Sequence, residues 1–438
     1  MKNRTQPNVV VNPDLSPCPP GGEEIMTQGV SEHALALSRA RSEEGLMRRM
    51  ASPWAVAGVV AVVYAVMIAP GLAKDPKQFI HIGHRFLTKS TTSTVIKPSL
   101  GYENKVGYDG QFYYFVAVDP TRARDYLDSP GIVYSRIGYP ALARGLSAGK
   151  ASAVPYMMIL INFAAAVGGT LAVAFLLRRR GLPPPVAFLY GLYPGLIFSV
   201  LRDLTEPLAW ALAAAGLLVF DPRSKRRLLL SAGLFALAML TRETVALFPA
   251  ILTLSLLLRA ETASRWRARI RANFWTAASF GAISLTPLFA WRLFLSFWLG
   301  SQTQEQAGSN AAVPFHGLAF QGASTGSRVL ILLTVVLPAL LSAGLAAVAL
   351  RRKMNAGLWL VLANVGVFVV FLPGPVFIDY GAAGRAAIGA LLATLVALPT
   401  WVALGVNPKL VRWSLVLWSL PYWLALALLV VVVPWLIP

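Results

Sequence analysis

Cysteine is nearly absent from this chain: Cys18 is the only one among 438 residues. That excludes an intramolecular disulfide and any cysteine-based metal cluster. Charge is scarce too, at 13% of residues, against about 25% in soluble globular proteins. Acidic residues are the rarer sign, 19 against 39 Lys and Arg. A basic surplus can mark a nucleic-acid binder, but here the Lys and Arg gather at the ends of apolar runs, as the positive-inside rule expects. Nucleic acid is therefore not an expected partner. No Gly-rich phosphate loop joins a strand to a helix, so no nucleotide cradle is expected either.

What fills the chain instead is apolar sequence, with 56% hydrophobic residues and a mean hydropathy of +0.61. Several runs approach or exceed the ~18–20 residues that cross a bilayer. The expected fold class is an all-α polytopic membrane protein. Residues 1–50 read as a cytoplasmic tail, disordered at first, then a short amphipathic helix over Ser31–Met50. The first apolar run begins only near Trp54, so no signal peptide is expected.

Within residues 51–438, apolar runs predict spans at Trp54–Leu72, Val154–Leu177, Pro183–Leu201, Leu208–Phe220, Leu228–Leu240 and Val245–Leu258. Further spans are expected at Phe274–Phe297, Arg328–Leu350, Leu358–Leu372, Ala386–Leu404 and Leu415–Ile437. That makes about eleven transmembrane helices. Arg178–Arg180, Arg223–Arg227, Arg259–Arg271 and Arg351–Lys353 then fall on the cytoplasmic side with the N-terminus. The spans between Leu208 and Leu258 are short, so the polar clusters joining them are expected slightly inside the membrane boundary or around a water-filled cavity.

This topology gathers five polar clusters on the extracytoplasmic face. They are Asp109, Arg136, the Arg202–Asp203–Glu206 group, Arg242–Glu243, and Asp379 with Arg385. The 73–153 loop, with short interfacial helices, holds the first two. Each residue has a structural alternative. Asp109 and Asp203 can cap helices, Arg202 and Glu206 are spaced as an (i, i+4) pair, and Arg242–Glu243 can pair with a neighbouring helix end. Arg385 can reach headgroups. Collectively, so many ionisable groups at span ends point to a shared cavity. A carboxylate there suits deprotonation of a hydroxyl, and arginines suit a departing phosphate. That chemistry is sugar transfer from a lipid phosphate.

The stretch Tyr108-Asp109-Gly110-Gln111-Phe112-Tyr113-Tyr114 resembles the first-loop acidic motif of GT-C glycosyltransferases. Arg136-Ile137-Gly138-Tyr139-Pro140 is similar to a following Arg-x-x-Tyr-Pro stretch in a bacterial subgroup tied to cell-surface glycopolymer formation. The segments around Arg202–Pro207 and Leu240–Thr244 resemble that subgroup's later motifs, and the layout is distantly similar to PIG-V-type mannosyltransferases. The resemblance covers roughly residues 54 to 400. It implies an inverting enzyme with a polyprenyl-phosphate sugar as donor, and a glycan, lipid or protein as acceptor. It implies Asp109 as catalytic base. Tyr108, Gln111, Tyr113, Arg136, Arg202, Asp203, Glu206, Arg242, Glu243, Asp379 and Arg385 would bind substrate.

Many such enzymes carry a paired acidic motif in this loop. Here Asp109 stands alone with Asp119 ten residues on, so a divalent metal is left unassigned. His81, His84 and His316 read as surface residues. Two rival classes are a transporter or flippase of lipid-linked sugars, which would need charge deep within spans and often repeats, and a non-catalytic assembly subunit.

Overall fold

The computed structural model describes residues 52–88, 90, 92–96, 106–259, 265–300, 322–370 and 374–436. The tail over 1–50, its amphipathic helix, Cys18 and His316 lie outside the described residues. Every regular element among the described residues is helical.

The chain opens with α1 (Pro53–Lys74), started by Ser52, whose hydroxyl accepts from Ala55 N at 3.0 Å, and by Pro53 in the first turn. The following loop holds, besides a four-residue helix at His84–Leu87 and short 3-10 turns, the helices α2 (Gly110–Val118), α3 (Pro130–Ser135) and α4 (Gly138–Leu146). Next come α5 (Val154–Arg179), α6 (Pro194–Val200), α7 (Glu206–Val219), α8 (Lys225–Thr241) and α9 (Leu247–Leu257). The last third comprises α10 (Trp266–Leu299), α11 (Thr325–Leu350, with a π turn at Leu332–Val336) and α12 (Ala356–Val365). It continues with α13 (Tyr380–Ala386), α14 (Ile388–Ala403) and α15 (Pro408–Leu436).

Against about eleven expected spans, four described helices are long and apolar enough to cross a membrane: α1, α5, α10 and α11. A fifth arises if α13 and α14, which meet at a 40° bend, count as one. The protein is thus a membrane-embedded helical bundle. The stretch expected as a span over Pro183–Leu201 is instead a chain of short pieces: Pro184–Ala187, Phe188–Gly191 and α6. Pro183, Pro184, Pro185 and Pro194 explain this, since each removes a backbone donor and disfavours helix just before it. At 14 and 11 residues, α7 and α9 reach only about 21 and 17 Å at 1.5 Å per residue. Their polar ends are consequently drawn inside the bundle.

α5 and α7 form its centre. α7 packs between α5 and α8, α10 covers α8 and α9, and α1 lies on the other side of α5. A second apolar cluster under the 73–153 loop is built mainly from the rings of α2, with Phe112, Tyr113, Tyr114 and Phe115 all buried. It fixes the loop on the bundle, so the loop's polar residues are held by packing.

Candidate functional site

Each charged residue of the site stands at a helix end or junction. Asp109 precedes α2, Arg136 ends α3, Arg202 follows α6, Glu206 begins α7, Arg242 ends α8, and Arg385 lies in the last turn of α13. Such positions let a short segment project its side chain across to another helix.

The Arg202–Glu206 segment is a helix reversal. Leu204 N donates to Ser199 O (2.9 Å) and Asp203 N to Val200 O (3.3 Å), with Asp203 left-handed at φ 48°. This pair of bonds is a Schellman stop for α6. Asp is one of the few residues that take this conformation at small cost. Thr205 and the Glu206–Pro207 pair then start α7 in a new direction. Because the backbone reverses between them, Arg202 and Glu206 do not form the expected (i, i+4) pair.

Glu206, with 1% of its side chain exposed, binds Arg242 Nη1 at 2.9 Å, and Arg385 Nε lies 3.7 Å from the same oxygen. Arg385 Nη1 continues to Asp109 Oδ2 at 2.8 Å. Asp109 occupies the cap position of α2, yet its side chain makes no capping bond. The carboxylate is spent on Arg385 and remains 37% exposed, with Oδ1 holding no hydrogen bond among the described residues. Glu243 takes Arg136 in a two-pronged grip, Nε at 3.0 Å and Nη2 at 2.8 Å, while Arg136 Nη1 donates to Tyr113 OH at 3.0 Å. Five segments far apart in sequence therefore converge in one ionic constellation.

Arg202 differs from the other arginines. Its guanidinium lies 5.4 Å from the Tyr108 ring centroid and 5.5 Å from that of Phe198, and no carboxylate lies within ion-pair distance among the described residues. Arg385 sits 5.4 Å from the Tyr108 centroid as well. Tyr108 is thus a ring shared by two cations, and burial pushes its phenol up to about 12, against the pull of Arg385. With Asp109, Glu206 and Glu243 facing Arg136, Arg202, Arg242 and Arg385, the site has one more cation than carboxylates.

Two glycines explain how closely the motifs meet. A Cβ on Gly110 would collide with the carbonyl oxygen of Arg202, so the residue after Asp109 must be glycine for the two segments to touch. A Cβ on Gly138 would collide with Thr241 Oγ1 and the backbone beside it, which seats the Arg136 segment on the end of α8.

Three expected substrate contacts have other partners. Gln111 is buried, accepting from Gly83 N (2.9 Å) and donating to Val106 O (3.0 Å), so its amide braces the loop. Asp379 is exposed and caps α13 by accepting from Ala382 N at 2.9 Å. Asp203 is fully buried beneath the constellation, where Tyr139 OH donates to its Oδ1 at 3.4 Å and Asn162 Nδ2 donates to that hydroxyl at 2.8 Å. Burial pushes the Asp203 carboxyl well above the usual carboxylate range, outweighing the hydrogen bonds of Tyr139 and Asn162. It orients no arginine.

Asn162 and Phe198 are absent from the sequence-based candidates. A lone Asn inside the apolar 26-residue α5 was the available signal for the first; nothing marked Phe198. Asp119 lies at the far end of α2 and binds Ser93 Oγ at 2.6 Å, away from Asp109. Among the described residues no three His, Cys, Asp or Glu side chains gather into a metal-binding group. His81 and His84 lie within the 73–153 loop, His84 opening a four-residue helix.

No protein-family model, no curated protein and no solved structure matches the chain.

Proposed function

We propose that this protein is a GT-C-type membrane glycosyltransferase that moves a sugar from a polyprenyl-phosphate donor to an extracytoplasmic acceptor in cell-surface glycan assembly. One observation carries the reading. Arg385, ion-paired with the partly exposed carboxylate Asp109, shares the Tyr108 ring with Arg202, an arginine with no carboxylate partner among the described residues.

In this reading the acceptor hydroxyl gives its proton to Asp109 Oδ1 while its oxygen bonds to the anomeric carbon. The bond from that carbon to the lipid phosphate breaks with its electron pair on the phosphate oxygen, and the configuration inverts. Arg202 receives the phosphate, and Arg385 positions Asp109 from the other oxygen. Arg242, Glu206, Arg136 and Glu243 hold these two in register. The sugar and the nature of the acceptor follow from contacts made only in the loaded site.

The same reading places the N-terminus and the basic helix ends in the cytoplasm, the ionic cluster outside, and the spanning helices in the inner membrane. A flippase would use charge deep within its spans. Here the charged groups stand at helix ends, which favours surface chemistry over passage.

The test is sugar transfer in proteoliposomes supplied with a mixed pool of polyprenyl-phosphate sugars, wild type against Asp109→Asn. Loss of a general base is expected to cost about 10²–10⁴-fold, with the protein still folded. Equal turnover by both would remove Asp109 from the reaction, and lipid-linked sugar crossing without transfer would favour the flippase.

A further inference from the structure

The other end of the bundle holds a second set of cations. α7 carries Glu206 at its first residue and Leu217 and Phe220 at its far end, so these lie about 20 Å from the ionic cluster. There Leu217 and Phe220 help to line a cavity of about 510 Å³ with Arg180, Lys353 and Asn355. Among the described residues no carboxylate lines this cavity. Arg180 Nη1 donates to Val396 O at 2.8 Å, and its other nitrogens have no acceptor among the described residues. Asn355 accepts from Gly357 N at 2.8 Å through Oδ1, which leaves its amide hydrogens as donors. The polar groups in this cavity are therefore donors and cations.

A second cavity, about 720 Å³, shares Asn355 and Ala356 with the first. Leu254, Leu258, Trp359 and Leu362 line it, on α9 and at α12. A cationic pocket thus adjoins, across the shared Asn355–Ala356 wall, a mainly apolar one between helices that Arg259 and Arg269 also line. That juxtaposition matches an amphiphile whose anionic head is joined to hydrocarbon chains. Cationic pockets between membrane helices at the positive end of a bundle are where anionic headgroups bind.

We infer that this pair of cavities is a binding site for one anionic phospholipid, separate from the sugar-transfer site. Arg180, Lys353 and the Asn355 amide hold its phosphate, and its acyl chains lie against α9 and α12. The lipid ties the ends of α5, α7, α9, α12 and α14 together. It binds the folded state alone, so stability rises with the logarithm of one plus the ratio of free lipid concentration to Kd.

The experiment uses the full chain in a neutral detergent, reading thermal unfolding during titration with three probes. They are phosphatidylglycerol, phosphatidylcholine with the same chains, and inorganic phosphate. Saturable stabilisation by phosphatidylglycerol only is expected. Arg180→Gln with Lys353→Gln should weaken that binding at least about tenfold, whereas Arg226→Gln, outside both cavities, should leave it unchanged. Ala363→Phe, which fills the apolar cavity without altering charge, should weaken phosphatidylglycerol binding as well. If the double variant does not fold, the Ala363→Phe titration alone decides the matter. Equal stabilisation by phosphatidylcholine would overturn the headgroup assignment. Equal stabilisation by inorganic phosphate would make this a free-phosphate site. Undiminished phosphatidylglycerol binding in both cavity variants would place the lipid elsewhere.

Discussion

The two ends of α7 use arginine in opposite ways. At the Glu206 end, arginines come singly from distant segments, and Arg136, Arg242 and Arg385 each meet a carboxylate. At the Phe220 end they come in clusters, and many reach backbone carbonyls: Arg179 to Leu218 O at 2.7 Å, Arg180 to Val396 O at 2.8 Å, Arg352 to Leu404 O at 2.7 Å. At Leu218 and Leu404 the second pattern is how cations finish helix C-termini, whose last carbonyls lack partners. It sets orientation and needs no particular neighbour. The first pattern removes charge from water, and each group there depends on its partner. The same residue type is therefore tied to a carboxylate partner at one end and mostly to backbone carbonyls at the other.

The contrast is tested hardest at Glu206. Glu206→Ala leaves Arg242 buried without its partner, and removing one member of a buried pair costs about 3–5 kcal/mol. Denaturant unfolding in detergent should register that loss; an unchanged midpoint would mean the ionic chain is solvated and unlike a buried network. Gly110→Ala should come next, at about 1–3 kcal/mol, because its Cβ meets the Arg202 carbonyl. Transfer should fall with it, since the Asp109 and Arg202 segments must separate. Full activity in this variant would mean the joint does not set the site.

Asp203→Asn gives a smaller effect with a defined sign. The folded protein binds the Asp203 proton more tightly than the unfolded chain does, since burial raises its pKa. Its contribution to stability is therefore full below the ordinary carboxylate pKa of about 4 and is lost as pH rises through the raised value. Thermal melts from acid to alkaline pH should decline in the wild type across that window and flatten in Asp203→Asn, with transfer retained. Parallel curves would show that Asp203 is ionised and partnered. Least affected should be Arg226→Gln at the basic end, within about 0.5 kcal/mol. A large loss there would erase the distinction between the ends.

Much of the site is legible in the chain. Asp109, Arg136, Arg202, Glu206, Arg242, Glu243 and Arg385 stand out as polar islands between apolar runs, and the structure brings all of them together. Their pairing is not legible. Spacing proposes Arg202 with Glu206, but the left-handed turn at Asp203 separates them, and Glu206 is left for Arg242 and Arg385. Asp109 reads equally as a cap or a sugar-binding base, and the structure shows no capping bond, its carboxylate meeting Arg385 from 276 residues away. Gln111, Asp379 and Asp203 look alike as polar candidates, yet they serve a loop, a helix start and a buried hydrogen-bond network.

The sequence by itself determined the helical class, the membrane setting and the gathering of arginine clusters at one set of helix ends. Those follow from local composition and from the cost of putting charge in hydrocarbon. The tertiary structure decided which helices are long enough to span, which cations are matched and which one, Arg202, is left over. Those outcomes depend on backbone reversals and on glycine joints such as Gly110 against Arg202, where segments far apart in the chain come within contact.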